Sequence, residues 1–159
     1  MVNNMKNTYF EYIYSYLVDD DANSNICFNI LYPTKDFALD ELTISFRVKE
    51  TIDIYRNLEE NYINFFKALK NRFKLQKVVL DHFDNTLKIS KTISNSEILE
   101  YYAKIGLREF SEIEGIYIPY LKTVLIFHWD LKILVFSKDK KHSKEFIELA
   151  EKNGIYSFE

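Results

Sequence analysis

The chain has 159 residues, a formal net charge of −3, and only three Gly, two Pro and one Cys. That length suffices for one domain with its own core, without disulfides or structural metal, and Gly and Pro this scarce exclude collagen-like and linker-type chains. Gly106, Gly115 and Gly154 build no G-x-G-x-x-G, no Walker-type phosphate loop and no G-x-S-x-G elbow. Cys27 alone can form neither an internal disulfide nor a multi-cysteine zinc site, and reads as a reduced, buried thiol.

Taken in chain order, Phe10, Ile13, Tyr14 and Leu17 fit a helical stripe and favour a helix, although Tyr12, Tyr14 and Tyr16 also alternate as in a strand. Asp19 to Asn25 is a polar turn. Ile26, Phe28, Ile30 and Tyr32 then alternate as a strand closed by Pro33. Leu42, Ile44, Phe46 and Val48 alternate against Thr43, Ser45, Arg47 and Lys49, predicting a half-buried strand paired antiparallel with its predecessor. From Thr51 to Phe73, apolar residues including Leu58, Tyr62, Phe65, Phe66 and Leu69 recur every three or four positions, with Glu59, Glu60, Lys67 and Lys70 between them, which predicts the longest helix.

Residues 77–83 and 86–90 read as a hairpin across Asp84-Asn85. Ser94-x-x-Glu97 is a capping box before a short helix that ends near Gly106. Residues 116–121, 123–128 and 131–137 read as successive strands. A closing helix carries Phe146, Ile147, Leu149 and Ala150 and stops at Asn153-Gly154. The expected fold is one α+β domain over 1–159: a mostly antiparallel sheet with three to four helices packed mainly on one face.

The start is polar, and the apolar stretch after it is broken by Glu11 and Ser15 before ending in Asp19 to Asp21, which does not read as a signal peptide. The longest apolar runs near the C-terminus, 124–127 and 133–136, are far short of a membrane span. The expectation is a cytoplasmic protein with no membrane partner. Charge is uneven: residues 1–60 hold 5 Lys and Arg against 11 Asp and Glu, a net −6, whereas 61–159 hold 16 against 13. An acidic third of this kind steers a basic partner, or is simply solvated surface.

Three chemistries are open to these residues. An acid/base site would need His82 or His128 within reach of Asp81, Asp84 or Asp130. Neighbours on a strand point to opposite faces, so Asp81 does not naturally orient His82. A small hydrolase or nuclease on these groups is the alternative reading, while His142, inside a Lys-rich run, reads as solvated. Asp19, Asp21, Asn23 and Asn25 occupy positions one, three, five and seven of a calcium loop, but Ser24 replaces the required Gly and Ile30 the bidentate Glu. No metal and no cofactor is expected. Lys67, Lys70, Arg72, Lys74, Lys77, Lys88 and Lys91 near Phe65, Phe66 and Phe73 suggest nucleic-acid binding, but those rings lie on the core stripe and the chain is acidic overall, which makes nucleic acid the less favoured partner.

What remains is tyrosine beside carboxylate. Tyr9, Tyr12, Tyr14 and Tyr16 precede Asp19, Asp20 and Asp21, and Tyr55 precedes Glu59 and Glu60. Tyr is favoured at interface hot spots and carboxylates complement basic partners; the competing reading is that these rings cover sheet edges. In whole-chain character, small, acidic and without a catalytic motif, the sequence resembles the bacterial immunity proteins that neutralise toxin nucleases. The resemblance implies a non-enzymatic protein that blocks a basic toxin domain. Tyr12, Tyr14 or Tyr16 would anchor the contact, and Asp19, Asp20, Asp21, Glu59 or Glu60 would pair with Lys or Arg around the toxin's active site.

Overall fold

A computed structural model describes residues 26–32, 49–81, 86–93, 114–128 and 132–158, together with Ile13. The described strands are β1 (Cys27–Tyr32), β2 (Gln76–Asp81), β3 (Thr86–Thr92), β4 (Glu114–Ile118), β5 (Thr123–His128), β6 (Lys132–Ser137) and β7 (Tyr156–Phe158). The helices are α1 (Lys49–Arg72) and α2 (Lys140–Lys152). All seven strands form one sheet in the order β3-β2-β4-β5-β6-β1-β7, and every neighbouring pair is antiparallel.

The α+β class and the antiparallel sheet agree with the sequence expectation. The helix count does not: the described residues contain two helices rather than three to four. The helix expected over 97–105 and the strand over 42–48 lie outside the described residues, as does the first element apart from Ile13, which is helical and buried. Over Ile30 and Leu31, β1 pairs with β6 on one edge and β7 on the other. The described partners of β1 are therefore the C-terminal strands.

The run Val124 to Phe127 shows why β5 is central. Val124, Leu125, Ile126 and Phe127 are all buried, and so are Ile133 to Phe136 on β6. Successive strand residues point to opposite faces, so an unbroken apolar run requires both faces to be covered. One face packs Leu31, Leu125, Phe127, Ile133 and Val135 with α1 and with Phe146 and Ala150 of α2. The other gathers Ile30, Val78, Leu80, Val124, Ile126, Leu134 and Phe136 with Ile13. Both described helices pack on the first face, and the second face is buried as well.

α1 follows from its stripe. Leu58, Tyr62, Phe65, Phe66 and Leu69 are buried at three- and four-residue spacing, the period that puts them on one side of a helix. The Tyr62 hydroxyl donates to the Leu31 carbonyl oxygen over 3.0 Å, Phe66 meets Phe127 edge-on at 5.6 Å, and Phe65 meets Phe146 of α2 edge-on at 5.7 Å. The helix thus lies across the sheet from β1 towards β5 and ends beside the β4–β5 turn.

That turn departs from the sequence reading of a strand through Leu121. β4 stops at Ile118, since Pro119 has no N–H for the ladder. The Lys122 N–H returns to the Pro119 carbonyl over 3.2 Å, and Lys122 sits at φ 45. Leu121 is driven into the core while Tyr120 is left 68% exposed.

Candidate functional site

Among the described residues Tyr120 is the one exposed large hydrophobic side chain. It is held rather than loose. α1 ends at Arg72, the Phe73 N–H closes the last turn onto the Leu69 carbonyl at 2.7 Å, and the Phe73 ring lies largely buried where the chain turns towards β2. Tyr120 stacks on that ring with centroids 5.5 Å apart and planes inclined by 23°. The Arg72 guanidinium lies 5.2 Å from the Phe73 centroid, within range of a cation–π contact. Its Nη2 also reaches Glu145 Oε1 on α2 at 3.2 Å.

Together with exposed Lys74, these groups line a shallow pocket of about 380 Å³. Two cations face one carboxylate there, so the pocket carries a net positive charge around an open aromatic ring. Sequence reasoning found Arg72, Phe73 and Lys74 but missed Tyr120, because Ile116 to Leu121 reads as one strand. The signal available was Pro119, which ends a ladder.

A second polar cluster sits at the start of α2. Asp139 is its N-cap: Oδ1 accepts from the His142 N–H at 2.9 Å, and Oδ2 meets the His142 ring Nδ1 at 2.8 Å. A carboxylate only accepts, so Nδ1 is the donor in this contact. Burial pushes the Asp139 carboxyl up, but the His142 N–H and ring, with the Lys141 N–H, outweigh it and hold the group below its ordinary value. Nearby, Asn29 Nδ2 donates to Ser143 Oγ at 2.9 Å, and the Thr123 and Ser137 hydroxyls share a 2.9 Å bond. His142, which reads as solvated in the sequence, is instead a half-buried residue of the first turn of α2, where Lys140 and Lys141 are exposed.

Of the sequence-predicted contact residues, Tyr12, Tyr14, Tyr16, Asp19, Asp20 and Asp21 lie outside the described residues. Glu60 is exposed on α1, whereas Glu59 is only 3% exposed. The polar face expected to show both carboxylates shows one, because the buried arc of α1 extends one position past Leu58. Ile30, at the twelfth position of the calcium-loop register, is a buried residue of β1. Cys27 is half-buried at the start of β1.

For the acid/base alternative, His82, Asp84 and Asp130 lie outside the described residues, and the His128 backbone closes β5. Asp81 is bound to Lys88 across the β2–β3 hairpin. Phe65 and Phe66 are fully buried and cannot stack on bases. Among the described residues no group of three or more His, Cys, Asp or Glu could hold a metal ion, and no helix is long and apolar enough to cross a membrane. No protein-family model, no curated protein and no solved structure matches the chain.

Proposed function

We propose that this chain acts by binding rather than by catalysis. The observation that carries the reading is Tyr120: an exposed aromatic ring seated on a buried one and flanked by arginine. Aromatic and arginine side chains presented with little freedom left to lose are what interface anchors are made of.

The finer proposal is that its protein partner is a basic toxin domain, blocked in the manner of the immunity proteins that the sequence resembles. The net −6 of residues 1–60 supports it. So does the exposed position of Glu60 on a helix whose opposite side is locked into the core. Tyr12, Tyr14 and Tyr16 would supply apolar anchors, and Asp19, Asp20, Asp21 and Glu60 would pair with partner cations. Glu59, being buried, is not among the direct contacts.

Co-purification from the native host, at 50 and 300 mM salt, tests this. A captured basic protein whose retention weakens with salt, and weakens further when Asp19, Asp20 and Asp21 become Asn, is the expected result. Retention indifferent to both the substitutions and salt would overturn the acidic-surface reading.

A further inference from the structure

The pocket at the end of α1 has the wrong charge for a basic protein, and it stands independently of the toxin proposal. We propose that it binds a nucleotide unit, an aromatic base joined to a phosphate, with the base on the open face of Tyr120 and the phosphate between Arg72 and Lys74.

Three observations converge on that chemistry. Tyr120 is 68% exposed while one ring face is occupied by Phe73, so it offers the other face as a rigid stacking platform. Stacking of this kind tolerates any base, because every base has a π-face. Arg72 engages Glu145 through Nη2, leaving Nη1 and Nε directed to no described acceptor; both the planar fork and the neighbouring Lys74 ammonium suit a phosphate oxygen. The pocket volume, about 380 Å³, falls in the range of small-ligand sites. A purely acidic peptide such as poly-glutamate would satisfy the two cations but would bring no aromatic face to the tyrosine. The nucleotide unit supplies both at once.

The source is either a free nucleotide or a single strand, and the two are separated by probe. Fluorescence anisotropy of labelled (dT)12 against the full chain at 50 mM salt, with unlabelled TMP and a poly-glutamate peptide as competitors, reads the site. Tyr120→Ala is expected to weaken (dT)12 binding roughly 5- to 150-fold, the range for loss of one stacked base, while Tyr120→Phe retains it. Lys74→Gln is expected to weaken binding and to lower the salt slope by about 0.7 for the lost phosphate contact. Competition by TMP at concentrations matching (dT)12 assigns a free nucleotide, and competition by the strand alone assigns single-stranded nucleic acid. The proposal is overturned by absence of binding at millimolar probe, by binding that Tyr120→Ala leaves unchanged, or by poly-glutamate competing as well as the strand.

Discussion

The Tyr62 hydroxyl donates to the Leu31 carbonyl oxygen across 3.0 Å, pinning the middle of the long helix to a strand that joins the two C-terminal strands of the sheet. Removing only that hydroxyl, Tyr62→Phe, should cost about 0.5–1.5 kcal/mol. Tyr62→Ala should cost about 3–5 kcal/mol, because it also opens a cavity beneath Phe66. Urea unfolding of the three proteins measures both values.

The same tyrosine predicts an alkaline limit. Burial, helped by the nearby Tyr32, pushes its phenol well above the ordinary value. The unfolded chain ionises near pH 10 while the folded chain keeps the proton. The stability from Tyr62 is therefore fully present below about pH 10 and is lost as pH rises above it. Tyr62→Phe should show a flatter loss of stability between pH 8 and 11 than the parent; an equal loss in both would contradict the assignment.

Asp139 works at the other end of the scale. Its carboxyl is held below the ordinary value by the His142 contacts despite opposing burial, so its contribution is present above about pH 4 and lost as pH falls through the lowered value. At pH 7, Asp139→Ala should cost about 0.5–2 kcal/mol through loss of the cap, whereas Asp139→Asn should retain most of it. Amide exchange in the first turn of α2 is the local readout, with Lys141 to Ser143 losing protection first.

Gly115 is required by close approach. A Cβ there would meet the Leu125 carbonyl oxygen at 2.0 Å and the Ile126 side chain at 2.9 Å, contacts the backbone of β5 cannot yield without leaving its register. Gly115→Ala should destabilise by about 1–3 kcal/mol or more, and thermal unfolding would show it. Gly154, at φ +76 with open space around it, should cost about 1–2 kcal/mol on substitution by Ala, from backbone conformation alone.

Arg72 and Glu145 form an ion pair whose side chains are 54% and 30% exposed. Arg72→Gln should therefore change stability by less than about 1 kcal/mol. That near-neutrality makes it a clean probe, since a loss of nucleotide binding in the variant could not be assigned to unfolding. Circular dichroism melts of the parent and variant supply the control.

Several of these features were legible in the residues themselves. The three- and four-residue spacing from Leu58 to Phe73 specifies a helix and its inward side, and the paired runs Lys77 to Phe83 and Thr86 to Ser90 specify a hairpin, because local periodicity alone decides which side chains share a face. Glu59 was not legible: a carboxylate next to the stripe reads as solvent-facing, and its burial is decided only in the tertiary structure. His142 likewise looks like one more polar residue in a lysine run until Asp139 is seen to end the strand region and begin a helix.

The four-residue apolar runs of β5 and β6 read as strands, but which elements cover their two faces does not follow from the runs. Pairing β1 with β6 and β7 joins residues more than a hundred positions apart, a contact no local pattern encodes. The candidate site belongs to this second class. Pro119 and the end of α1 are visible in the sequence as punctuation. That Phe73 and Tyr120, from separate elements, come to lie ring on ring follows from where the end of the helix meets the β4–β5 turn. The placement of the helix is held by the contacts of Tyr62, Phe65 and Phe66 with Leu31, Phe146 and Phe127, residues distant in the chain.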